Sequence, residues 1–174
     1  LCVVESLHTR KAIALALTRS GEDALPALVS MLKDERWYVV RNMVTILGGI
    51  SSPDSLKALQ QAATHPETKV RKEVAKSLAK IASRDGENAL VNMLADIDKE
   101  VVRQVIFSLG VLRSKSGVKP LLDILMASDA FLKELEIKKL VVAALGRIGD
   151  KQATEPLLNI LTTIGWLAPL RWME

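Results

Sequence analysis

The chain has 174 residues, 49% of them hydrophobic, 25% charged and only 3% aromatic, and its 24 Lys and Arg against 20 Asp and Glu leave a net charge of +4. That balance fits one ordinary domain or a stretch of repeats, excludes a disordered tail, and permits an acidic partner without demanding one. A single Cys excludes an intramolecular disulfide framework, and His8 and His65 stand too far apart for metal-ligand spacing. No charge-free apolar run reaches the ~18 to 20 residues of a membrane span, so the chain reads as soluble and cytoplasmic, with no cofactor or metal.

Taken in chain order, the apolar spacing predicts helices throughout. Residues 1–7 read as the tail of a helix, and residues 9–21 form a second one. Pairs then follow: 24–32 with 39–51, 55–63 with 70–82, 88–95 with 101–113, and 117–126 with 137–149. A helix over 153–161 is followed by residues 162–174, which end before a further one is complete. Both ends lack the polar-faced closing unit of a stacked array, so the chain is expected to be a fragment of a longer one. No stretch alternates apolar and polar over a strand's length, and the fold class is all-α.

The second member of each pair repeats one pattern, with apolar residues at offsets 0, 4, 5, 8 and 11, one face of a 3.6-residue helix. Leu17, Leu47, Leu78, Leu109 and Leu145 are equivalent, 30, 31, 31 and 36 residues apart. Small residues form two columns beside them: Ala16, Ser77, Ser108 and Ala144, then Gly48, Ala79, Gly110 and Gly146. A helical glycine costs ~1 kcal/mol relative to alanine, so its recurrence points to close packing or a helix end. In the first members Pro26, Pro120 and Pro156 fall in the first turn, where no amide proton is missed. Capping residues are expected in 21–23, 51–54 and 84–87.

These units resemble short HEAT repeats of the phycobilisome-lyase type, on Leu25-Pro26-Ala27-Leu28 with Met31-Leu32-Lys33-Asp34, followed by the Val-Arg, Ala-Leu-Gly and Ile-Gly elements. The resemblance implies a right-handed α-α superhelix of five to six HEAT-like hairpins in a single domain, with units at 1–21, 22–52, 53–83, 84–114, 115–149 and 150–174. It also implies second helices on the concave face. The fourth hairpin departs from the pattern by about five extra residues between Ala127 and Glu136.

No phosphate-cradling loop, Ser-His-Asp framework or His-Glu zinc helix occurs, and no catalytic residue is assigned. Cys2 reads as a small buried hydrophobe, and His8 and His65 as solvated or capping groups in turns. Asp34 and Asp96 each stand five residues before a second-helix segment. They are expected to cap the turn or to pair with Arg41 and Arg103 of their own unit.

Charge is unevenly distributed. The five second-helix segments carry 13 basic residues and one acid, Glu73, a net +12, while everything else carries −8. Arg19, Lys80, Arg113 and Arg147 lie at helix C-termini, where cations are favoured without a ligand. Offset 2 is basic in every unit, as Lys11, Arg41, Lys72, Arg103 and Lys139, and a cation in a first turn calls for compensation. Two readings stay open: an internal Asp-to-Arg ladder, which the resemblance implies, or a stripe that binds a partner. Lys11, Lys72 and Lys139, whose units have Val4, His65 and Leu132 in place of the Asp, are the better binding candidates. Trp37 and Phe107 are candidate apolar anchors, and Trp166 and Trp172 close the chain. The expected function is a scaffold for an acidic protein partner or a segment of its own parent chain. Nucleic-acid binding and bilin-lyase-like chromophore handling are the alternatives.

Overall fold

The computed structural model describes residues 7–127 and 135–163. Cys2, Val4, Leu132, Trp166, Trp172, the extra residues of the fourth hairpin and the side chain of His8 lie outside the described residues. Ten helices occur among those described, and no strand: α1 (Leu7–Arg19), α2 (Leu25–Ser30), α3 (Trp37–Ile50), α4 (Pro53–Ala62), α5 (Thr68–Ile81), α6 (Arg84–Asn92), α7 (Lys99–Leu112), α8 (Val118–Met126), α9 (Leu135–Ile148) and α10 (Thr154–Thr163). Odd numbers are the second helices and even numbers the first.

Local chemistry sets the ends of these helices. Ser52 and Ser83 cap α4 and α6, their hydroxyls accepting the amides of Ser55 at 3.1 Å and Gly86 at 3.0 Å. The cap of α6 is therefore Ser83, and Asp85 and Glu87, expected ahead of the helix, lie inside its first turn beside the positive end of the dipole. Glu22 and Asp23 fall in a 3-10 turn ahead of α2, which no side chain caps. At the other end, a left-handed residue closes every second helix at one position: Gly21, Ser51, Ala82, Arg113 and Gly149, with φ between 49° and 66°.

The second helices pack side by side as a layer, α1 on α3, α3 on α5, α5 on α7 and α7 on α9, whereas the first helices pack on the second helices to either side and little on one another. The small-residue columns make this approach possible. Ser77 and Ser108 donate across the helix boundary to the carbonyls of Val44 at 3.0 Å and Ala75 at 3.1 Å. A Cβ on Gly48 would lie 2.5 Å from the Ser77 Cβ, and one on Gly110 would lie 3.1 Å from the Ala144 Cα. Gly48 and Gly110 of the column are thus packing positions, whereas Gly146, inside α9 with nothing within 4 Å of an added Cβ, is neither a packing position nor a helix end. Leu47, Leu78, Leu109 and Leu145, the periodic leucines, are fully buried between the layers.

Candidate interaction surface

Around each second helix, neighbouring offsets meet different surroundings, because successive side chains turn by about 100°. Offset 1 is buried in the three central units, as Val40, Arg71 and Val102, and is Arg10 and Lys138 in the outer two, where it is not. Offset 2 lies at the solvent edge of the layer, and offsets 6 and 10 lie on the layer's outer surface, as Lys76 with Lys80 on α5 and Phe107 with Val111 on α7.

Asp34, His65 and Asp96 do the same job in three turns. Each accepts the amide two residues on, from Arg36 at 2.8 Å, Glu67 at 3.0 Å and Asp98 at 2.8 Å. The capping expectation therefore holds, but the expected ion pairs do not form. Asp34 pairs with Arg36 instead of Arg41, and hydrogen bonds from the Arg36 guanidinium and amide hold its carboxyl at about 2. Asp96 reaches back one unit to Arg71 instead of forward to Arg103. The reason is rotational: Arg71 at offset 1 faces Asp96, while Arg103 at offset 2 points away from it toward Glu100.

Most cations of the offset-2 column are held internally. Glu100 accepts from Lys72 of the preceding unit at 3.1 Å and from Arg103 at 2.6 Å, and Lys139 donates to Glu136 at 2.9 Å. Arg41 bonds the Asn42 side chain at 3.3 Å and lies over the Trp37 ring at 5.6 Å. Lys11 is exposed, with no bond or ion pair among the described residues, and shares with Arg41 a groove of about 340 Å³ between α1 and α3.

The two aromatic candidates differ. Trp37 is half-buried at the start of α3, with the Lys69 ammonium 4.6 Å from its ring and Tyr38 edge-on at 6.0 Å. Phe107 is 47% exposed, and the Arg147 guanidinium lies 5.2 Å from its ring centre. The C-terminal cations Arg19 and Lys80, which dipole complementation alone explains at the sequence level, are exposed and make no ion pair among the described residues. Their signal in the sequence was the i, i+4 pairing of offsets 6 and 10 on one face.

No group of three His, Cys, Asp or Glu residues able to hold a metal occurs among the described residues, and no helix there is long and apolar enough to cross a membrane.

The family model described as HEAT repeats matches residues 25–109 and 87–165. The complex of CpcE and CpcF of phycocyanin lyase from Nostoc sp. PCC7120 contains a similar structure, with a TM-score of 0.65 and 22% identity over 81% of this chain and 91% of that one. An engineered protein also resembles it, with a TM-score of 0.52 and 24% identity over 92% of this chain and 85% of that one. At these identities the likeness concerns the fold. No curated protein matches the chain.

Proposed function

Because the chain belongs to the HEAT repeat family, we propose that it is a non-catalytic scaffold that holds an acidic protein partner, or an acidic segment of its own polypeptide, against the layer of second helices. The observation that carries this reading is charge segregation: the helices that pack as one layer, α1, α3, α5, α7 and α9, hold a net +11, against −7 for the remainder. A surface of one sign draws in a partner of the other and disfavours like-charged competitors. In this reading Lys11, Arg41, Lys72, Arg103 and Lys139 supply the long-range attraction, and Phe107 and Trp37 supply apolar contact.

Titration at about 50 mM salt with a polyglutamate peptide and with random-sequence duplex DNA tests the reading. Binding of the peptide without the DNA supports it. Salt-sensitive binding of the DNA alone transfers the surface to nucleic acid. A further reading, bilin handling, has behind it the likeness to the phycocyanin lyase subunits; incubation with a bilin that gives no spectral shift removes it.

A further inference from the structure

The offset-2 column has largely spent its charge on Glu100 and Glu136. One to two turns further along the same helices the situation reverses. Lys80 is exposed and makes no hydrogen bond or ion pair among the described residues. Arg147 has the Phe107 ring as its one contact there, and a guanidinium stacked on a ring keeps its N–H edge open to a carboxylate. Between these cations lie Phe107 and Val111, one turn apart on α7 and 47% and 58% exposed. The helices α5, α7 and α9 pack in that order, so the surface reads cation, apolar pair, cation.

Resting on the scaffold reading, we infer that the partner is seated on this strip, Lys80, Phe107, Val111 and Arg147, and that it presents an acidic segment carrying an apolar side chain. Charge complementarity selects the occupant. Carboxylates on either side of an aliphatic or aromatic side chain would meet Lys80 and Arg147 while that side chain covers Phe107 and Val111. Both exposed apolar groups would leave water, and both cations would gain the partners they lack. A nucleic-acid strand would set its phosphates against only two cations and would find the aliphatic Val111 where a stacking ring is needed.

The test titrates the 174-residue chain with a fluorescent peptide in which a Leu pair is flanked by glutamates, and with a control carrying glutamines instead. The glutamate peptide is expected to bind and the control to bind weakly. Lys80→Glu with Arg147→Glu should weaken binding by about tenfold, and Phe107→Ser by about fivefold. Lys11→Glu with Lys72→Glu and Lys139→Glu should weaken it less than the strip variants do and mainly by slowing association, since that column attracts from a distance and makes no contact with the seated side chain. Circular dichroism checks the fold, and Lys80→Gln with Arg147→Gln replaces any variant that fails to fold. Loss of binding on reversing the column, with the strip variants binding like the unaltered chain, overturns the inference and leaves the scaffold reading standing. Failure of the unaltered chain to bind any glutamate peptide overturns both.

Discussion

Arg71 and Asp96 join two successive units through parallel hydrogen bonds, Nε to Oδ2 at 2.7 Å and Nη2 to Oδ1 at 2.9 Å, with side chains 10% and 7% exposed. Both members are bonded outward as well. Arg71 also donates to the carbonyls of His65 and Pro66, both at 2.9 Å, and Asp96 also accepts the amide of Asp98. Removing one partner strands the other in a site with little water, so Asp96→Ala is expected to cost about 3 kcal/mol in urea unfolding. Burial pushes the Asp96 carboxyl up, but the hydrogen bonds from Arg71 and the Asp98 amide, with the Arg71 charge, outweigh it and leave the group below its ordinary value. Such a group contributes its full stability above the unfolded-state value, near pH 4, and loses it as the pH falls through the lower folded value. The gap between the unaltered chain and Asp96→Ala should therefore narrow as unfolding is repeated from pH 5 down toward pH 2.

The preceding unit shows what this joint looks like without an ion pair. There Val40 stands in the place of Arg71 and is fully buried, and His65 stands in the place of Asp96, its Nδ1 accepting the Glu67 amide. Exchanging a satisfied buried ion pair for groups that suit the same site is close to neutral. The double variant Arg71→Val with Asp96→His should then unfold within about 1 kcal/mol of the unaltered chain, although each single change costs more. A loss in the double variant equal to the sum of the two single losses would mean that the two residues stabilise the joint separately.

The contrast between these joints also shows what a sequence can reveal here. Leu47, Leu78 and Leu109 recur because every unit needs the same packing, and that periodicity exposes the repeat. Arg71 has no basic counterpart in the units beside it: its column reads Arg10, Val40, Arg71, Val102, Lys138, so the charge is broken by valines and no continuous stripe marks it. Offset 2 is charged in every unit and so forms the visible stripe, which matches Asp96 with Arg103 of its own unit. One step of helix rotation separates a residue facing the next unit from one at the solvent edge, and apolar periodicity alone does not resolve that step. The strip at Lys80 and Arg147 was hidden for another reason, since helix-dipole complementation already accounts for cations at those places.

The glycine column makes three different predictions from one residue type. Gly48→Ala puts a Cβ 2.5 Å from the Ser77 Cβ, so α3 and α5 must separate, at a cost of about 3 kcal/mol. Gly110→Ala meets Ala144 at 3.1 Å and should cost about half as much. At Gly146 nothing lies within 4 Å of an added Cβ, and Gly146→Ala should stabilise α9 by up to about 1 kcal/mol through helix propensity. Thermal unfolding of the three variants checks the ranking. Combining Gly48→Ala with Ser77→Gly should recover part of the loss, because it removes the clashing side chain.

Ala82 has φ 49° at the end of α5, a conformation that an L side chain resists and glycine accepts. Ala82→Gly should therefore raise stability by about 1 kcal/mol, and Gly149→Ala, at the equivalent end of α9, should lower it by a similar amount. Ser51→Gly should gain less than Ala82→Gly, since the Ser51 hydroxyl donates to the Gly48 carbonyl at 3.0 Å and that bond is lost with the side chain. Paired melts of the three variants measure these differences directly.

Glu100 decides how much of the basic column is available to a partner. Hydrogen bonds from Lys72 and Arg103, and then their charges, hold its carboxyl below the usual range, so it stays ionised throughout pH 5 to 8 and both cations remain occupied. Glu100→Gln removes that charge and frees Lys72 and Arg103 to add to the long-range attraction. The expected result is affinity for the glutamate-flanked peptide tightened by about twofold to threefold at low salt, a gain that disappears near 500 mM as the field is screened. Fluorescence anisotropy at the two salt concentrations measures it. The melting temperature should change little, because these pairs are solvent-exposed and such pairs contribute little to stability. A lowered melting temperature with unchanged affinity would instead assign Glu100 to holding α5 and α7 together.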